Sequence, residues 1–332
     1  MQIIRVYILT IRRMYCIIYI YGDKIVKYER LRANMKTSLR ILGKAAFFLI
    51  LLIGMIILAN YPLLILKPFG FNLEQAGLQE ISSTVISYFY KLIHGSMGTY
   101  KQGLDVWVLI KTHTGSTLIM LSISLLIAIL FGVVFGYFLS KKQKPRTSTL
   151  KLILIIILMS VPTLIVILGA QQFFLLLKNA GLSRIPVAGY ATWRHRILPV
   201  FCAALLPGVY LARLFAGASD RVYETEYIRT AISKGAGGAR VFFVHVLKNA
   251  FAQVCESIHS ILPLLLVNML IAEYLFYCPG LLLVMVNNYY NPDVVVGVSI
   301  VVALIYTLYS LVFTWIGRRL NHRMGISRKG IM

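Results

Sequence analysis

Glu256, His259 and Glu273 are the residues best placed to handle charge or protons, because they interrupt a run, residues 254–277, that is otherwise largely apolar. At about 100° per residue they share one arc of a helix about 100° wide. Ionisable side chains at membrane depth face a bundle interior or a wet cavity. A plainer alternative stands beside that one: the two carboxylates lie near the ends of the run and reach water, while a neighbouring helix satisfies His259. Cys255 and His259, four residues apart, would share a helix face, but two ligands make a poor metal site and packing is the simpler role. The four cysteines (Cys16, Cys202, Cys255, Cys278) contain no C-x-x-C pair and suggest neither a disulfide framework nor a metal. The chain has no G-x-x-x-x-G-K-S/T, so no nucleotide-binding loop of its own, and neither H-E-x-x-H nor G-x-S-x-G. Gly235, Gly237 and Gly238 cluster without the Lys-Ser/Thr that phosphates require. No catalysis, cofactor or metal is therefore expected.

A different chemistry, that of gripping a partner, is written into residues 226–250, EYIRTAISKGAGGARVFFVHVLKNA, a polar, glycine-broken insert between two long apolar runs. Residues 226–234 form a short helix that Gly235 can end in a left-handed cap. Residues 236–238 turn the chain, and a second helix over 239–250 puts Val241, Val244, Leu247 and the following Phe251 on one side. A short helix held at an angle to a membrane is a lever: pressed into a groove of a soluble subunit, it passes that subunit's motion to the spans. The bland counterpart is a solvated loop with some helix.

The elements that hold these residues are membrane spans. Of the 332 residues 59% are hydrophobic and 14% charged, whereas soluble domains carry about 25% charged residues. Six runs reach the roughly 20 residues that a crossing helix needs: 45–66, 116–139, 152–177, 197–217, 254–277 and 294–316. Prolines within them (Pro62, Pro162, Pro207, Pro263) are tolerated where neighbouring helices cover the freed backbone. The net charge of +23 sits mainly between the runs and at the ends, which argues against nucleic acid. With the N-terminus inside, segments 1–44, 140–151, 218–253 and 317–332 hold 25 Lys and Arg, against 8 in the outer segments. The excess of basic residues inside places both termini in the cytoplasm. Residues 1–34 mix Tyr, Ile and Arg without the apolar core of a signal peptide, and Met35 is the more natural start. The expected organisation is a doubtful extension over 1–34, the first span and outer loop over 35–115, a core of spans over 116–317 containing the 218–253 loop, and a cytoplasmic tail over 318–332. The outer loop carries an amphipathic stretch, 73–92, then a glycine-punctuated turn. Gly132 and Gly136 form a G-x-x-x-G on the second span, read as tight helix packing.

The order Arg229-Thr230-Ala231, Lys234-Gly235, His245 and Asn249-Ala250 resembles the coupling-loop signature of binding-protein-dependent ABC transporter permeases, in particular the B-type subunit of the dipeptide/oligopeptide/nickel branch. Leu198-Pro199 and Ala212-Arg213-Leu214 match the ends of that family's fourth span. Glu273, Phe276, Pro279 and Gly280 match its Glu-x-x-Phe-x-x-Pro-Gly segment, and His94-Gly95, Gly98 and Thr117-Leu118 fit its outer loop and second span. The resemblance covers residues 80 to 332. Departures are Ala216 where the family often has a second Arg, Gly95-Ser96-Met97-Gly98 for Gly-Asp-Leu-Gly, Asn291-Pro292-Asp293 for Asp-Tyr-Pro, and Leu282 after the Pro-Gly-Leu turn.

The resemblance implies an all-α polytopic protein of the cell membrane, with six spans, both termini inside and the type I ABC importer permease fold. It also implies a second homologous permease, two ABC ATPase subunits that hydrolyse the ATP, and an extracytoplasmic substrate-binding protein. Glu226, Tyr227, Arg229, Thr230, Ala231, Lys234 and Gly235 become the expected ATPase contact. Arg213, Glu256, His259 and Glu273 become candidates for the translocation path. Di- and oligopeptides are the expected cargo, with nickel or another small solute as the alternative. A carrier working without ATP is the reading from another class, and it would predict broken helices with ionisable groups in symmetry-related pairs, which this sequence lacks. A membrane anchor or sensor would leave the 226–250 insert without a purpose.

Overall fold

The computed structural model describes residues 78–100, 103–140, 157–182 and 185–323, with isolated positions between 50 and 57 and at 153. The expected first span (45–66), the residues 1–34 and the tail beyond 323 lie outside or almost wholly outside these. The chain falls into two compact units, Met1–Tyr88 and Phe89–Met332, and the second holds the polar insert and the long apolar helices among the described residues.

Helix α1 covers Leu78–Ile93. A small antiparallel pair, β1 (Thr99–Tyr100) and β2 (Leu104–Asp105), then pairs Thr99 with Asp105. It is the one departure from an all-α expectation among the described residues. Gly98 and Gly103 flank the pair at φ +94° and +83°, a region closed to most L-residues.

Helix α2 (Val106–Leu139) has 34 residues and extends the expected second span by ten residues at its N-terminal end. Asp105 starts it, its carboxylate accepting from the Trp107 amide at 2.9 Å. The expected third span is interrupted: residues 157–160 are helical, the chain bends at Val161, and α3 (Thr163–Asn179) begins after Pro162. Proline lacks an N–H and pushes its predecessor out of the helical region. A 3₁₀ turn (Trp193–Arg196) leads into α4 (Ile197–Tyr223). The polar insert gives α5 (Glu226–Ser233), α6 (Gly238–Val241), a π-helical turn (Phe242–Val246) and α7 (Leu247–Glu256). Then come α8 (Ile258–Leu275), the short α9 (Leu281–Asn287) and α10 (Pro292–Arg323).

Among the described residues four helices are long and apolar enough to cross a membrane: Val106–Leu139, Trp193–Tyr223, Ile258–Leu275 and Pro292–Leu320. The shorter apolar helix Thr163–Asn179 accompanies them. Helix α4 is the hub, since 61% of its apolar stretch is buried against 33% for α2 and 28% for α10. The α2–α4 contact depends on Gly132 and Gly136. A Cβ at Gly132 would stand 2.5 Å from Leu211 Cβ, and one at Gly136 2.7 Å from the Ala212 carbonyl and 2.9 Å from Phe215 Cβ. The G-x-x-x-G does close packing, as expected from its spacing. Polar ties between helices hold the rest: Ser124 Oγ donates to the Val200 carbonyl (3.0 Å), Gln171 Nε2 to the Leu275 carbonyl (2.9 Å) and Ser140 Oγ to Asp220 (2.7 Å).

Candidate functional site

Helix α5 is eight residues long, too short to persist alone, so its neighbours must hold it. Ile228, wholly buried, plugs it into the core. Thr225 precedes it in extended conformation, and the chain leaves through a Schellman turn. The Gly235 amide bonds the Ile232 carbonyl (2.9 Å) and the Ala236 amide the Ala231 carbonyl (3.1 Å), with Gly235 at φ +83°. The expected glycine stop is therefore present, one residue after Lys234. A side brace completes the fixture. Asn249 Nδ2 donates to the Tyr227 hydroxyl (2.8 Å) and to the His245 carbonyl (2.7 Å), and the Tyr227 ring meets the His245 ring edge-on at 6.0 Å.

His245 lies in the π turn, so the second helix is not the uninterrupted 239–250 segment expected from sequence. One wide turn lets Phe242 and Val246 bury, while Phe243 and Val244 stay exposed. Such single π turns sit disproportionately at functional positions. On the open side of α5, Glu226, Arg229, Thr230, Lys234 and Gly235 are exposed, Tyr227 is 43% exposed and Ala231 half-buried. Arg229 pairs with Glu226 at 3.2 Å one turn away. The seven expected contact residues thus share one small elbow. Asn249 and His245, which the motif includes but the spacing could not explain, are its struts.

The expected arc of Glu256, His259 and Glu273 presumed one straight helix, and the structure breaks that helix at Ser257. Glu256 ends α7 and is exposed, and His259 is exposed in the first turn of α8. Arg213, on α4, is exposed with a long 3.9 Å contact to Met159 Sδ. Glu273 departs from the three, and from the reading in which it reaches water, because it is wholly buried.

Its carboxylate organises the turn between α8 and α9. Oε1 accepts from Thr117 Oγ1 at 2.8 Å, and Oε2 accepts from the Leu282 and Leu283 amides, each at 3.0 Å. Thr117 Oγ1 in turn accepts from the Leu281 amide at 2.7 Å. The three amides are the orphan donors of a helix start, met here by groups from two other helices. A Cβ at Gly280 would land on that carboxylate, so the glycine of the Pro-Gly pair makes room for the glutamate seven residues earlier. Phe276 is wholly buried, and Tyr277 takes φ 54° to reverse the chain. Burial, and then the charge of Glu273, push the Cys278 thiol up to about 11, leaving it a neutral packing group.

A second clasp joins Lys91 of α1 and the β1–β2 hairpin to the start of α10. Lys91 Nζ meets both Asp293 oxygens at 3.0 and 3.2 Å, and the Thr99 amide donates to Oδ2 at 3.1 Å. A Cβ at Gly98 would collide with the same carboxylate. Asn291 Nδ2 donates to the Thr99 carbonyl at 3.3 Å. Two of the departures from the family pattern, around Gly98 and Asp293, are thus partners of each other. Sequence reasoning missed this clasp because its ends lie 202 residues apart.

The family model described as "Binding-protein-dependent transport system inner membrane component" matches residues 128–326. The chain is 24% identical over 265 residues to the probable peptide ABC transporter permease protein y4tP of Sinorhizobium fredii, covering 75% of this chain and 83% of that one. It is 25% identical over 210 residues to the dipeptide transport system permease protein DppB of Bacillus subtilis, covering 62% and 67%. With the oligopeptide transport system permease protein AppB of the same organism it shares 23% over 241 residues, covering 68% and 75%.

Proposed function

The chain belongs to the family of binding-protein-dependent transport system inner membrane components, and on that footing we propose that it is the permease subunit of an ATP-driven importer of short peptides. The cargo class is supported by the peptide, dipeptide and oligopeptide permeases that it resembles. In this reading it lies in the cell membrane as a six-span, type I permease with both termini in the cytoplasm. It pairs with a second homologous permease around a shared path, two ABC ATPase subunits bind from inside, and an extracytoplasmic binding protein delivers cargo. The excess of Lys and Arg in the inner segments supports that orientation.

The observation that carries the proposal is the elbow at α5: a short helix presenting Glu226, Arg229, Thr230 and Lys234 outward while Ile228 and the Asn249–Tyr227 bond fix it to the bundle. A purely lipid-embedded protein has no use for such a fixture. ATP-driven closure of the ATPases would pull α5. The brace carries that pull to α7, and Arg221 Nη2, donating to Gln253 Oε1 at 2.8 Å, links α7 to the hub helix α4. The break at Ser257 then lets α7 move relative to α8. Arg213, Glu256 and His259 are the path candidates with exposed side chains, and Glu273 acts through the turn that it holds.

The test is Gly235→Asp, which puts a side chain and a charge at the left-handed stop of α5. The variant is expected to remain in the membrane and to lose peptide-stimulated ATP hydrolysis by the assembled transporter. Undiminished peptide uptake by that variant would refute the assignment.

A further inference from the structure

Helix α2 packs its glycine face on α4 and leaves the opposite face, with Leu130 58% and Val134 52% exposed, looking into a groove. Leu247 and the exposed Phe243 form another wall, and Leu320 of α10 a third. The groove has a volume of about 530 Å³, and every residue lining it is apolar except Lys248. Its size lies within the roughly 300–1,000 Å³ of sites that hold small organic ligands. Its shape is that of an open trough along the helix end, with one ammonium group at the polar insert.

We infer that this groove binds an anionic phospholipid of the inner leaflet, its acyl chain against Leu130, Val134 and Phe243 and its phosphate on Lys248. The inference rests on the cytoplasmic placement of the 218–253 insert. The charge pattern selects the occupant. Lys248 is exposed, and Arg318 and Arg319, also exposed, occupy the turn of α10 that supplies Leu320. Arg319 stands 5.3 Å over the Trp315 ring, a pairing suited to the headgroup level, where amphipathic rings and cations settle. A transmembrane helix seated here would bury the Lys248 ammonium among apolar groups. A phospholipid fills the trough with hydrocarbon and brings its own counter-charge, the arrangement by which basic pockets between helices on the cytoplasmic side hold acidic headgroups.

The site also has a consequence for coupling. Phe243 and Leu247 flank His245, and Lys248 adjoins Asn249, so the groove wall and the brace on Tyr227 are the same two turns of helix. A chain seated in the groove backs those turns and stiffens the brace. An empty groove leaves Phe243 67% exposed.

The experiment is lipid retention by the transporter purified in mild detergent, read by native mass spectrometry during titration with phosphatidylglycerol and, separately, phosphatidylcholine. The wild type is expected to retain phosphatidylglycerol preferentially. Lys248→Ala lowers that preference about fivefold, the change that one surface cation represents, and Lys248→Arg restores it. Val134→Trp, which fills an exposed trough without touching the core, lowers retention of both lipids. Equal retention of the two lipids by the wild type, or unchanged retention in both Lys248→Ala and Val134→Trp, would overturn the inference. So would a photo-crosslinker at position 134 that captures protein instead of lipid. Retention is read on this chain with or without its ATPases, so failure of the elbow as an ATPase contact leaves it standing. Labelling of a Lys248→Cys variant from outside intact cells would instead remove the inner-leaflet placement that both readings share.

Discussion

At the turn after α8 the polar groups face inward, whereas at the α5 elbow most of them face outward. Glu273 is wholly buried and receives donors from Thr117, Leu282 and Leu283. Glu226 and Arg229, paired with each other at 3.2 Å, remain 88% and 64% exposed at their side chains. A buried, fully satisfied carboxylate fixes one geometry, because each lost bond leaves a group that water cannot reach. An exposed pair one helical turn apart contributes little to stability, so its members are available to a partner. The two regions carry motif residues of one family for opposite physical reasons. One shapes the chain and the other stays open to solvent.

Substitutions can break that contrast, beginning with the largest effect. Glu273→Ala strips the partner from two amides and a buried hydroxyl, and should cost about 3 kcal/mol or more, seen as a collapse in the thermal unfolding temperature of the purified chain. If it unfolds like the wild type, the clasp has no structural weight. Asp293→Ala should come next, costing about 1–2 kcal/mol, because Lys91 is partly exposed while the Thr99 amide loses its acceptor. Faster proteolysis at the 99–105 hairpin is the accompanying readout. Smallest in stability is Tyr227→Phe, expected to cost about 1 kcal/mol or less, since Asn249 keeps its bond to the His245 carbonyl. Its effect should fall on function instead, with reduced peptide-stimulated ATP hydrolysis at normal membrane abundance. An unfolding temperature that drops as far for Tyr227→Phe as for Glu273→Ala would erase the distinction between the two regions.

Much of the architecture was legible because membrane spans are written as long apolar runs, and because a glycine after a short amphipathic helix has few explanations. Gly235 and the pair Gly132/Gly136 do what their positions suggest. Pro162 and Ser257 show where such reading falters: an apolar run looks continuous across a backbone break, and arithmetic on one straight helix then assigns neighbours that do not exist. The Glu273 clasp was visible as a motif, but not as chemistry. Its second donor group, Thr117, lies 156 residues away, and no periodicity within a segment reports on a partner in another. The π turn at Phe242–Val246 was hidden for a related reason, since its sequence reads as ordinary helix and only the packing of Phe242 and Val246 demands the extra width.

The most direct test of the elbow as the motor contact is a disulfide crosslink from a Thr230→Cys variant, exposed in the middle of α5, to single cysteines on an ABC ATPase of the assembled transporter. If the elbow is that contact, the crosslink forms and its yield changes when ATP is bound, with Phe201→Cys, exposed on α4, as a control that captures nothing. A Thr230→Cys variant that never captures the ATPase while the complex still imports peptide would contradict it.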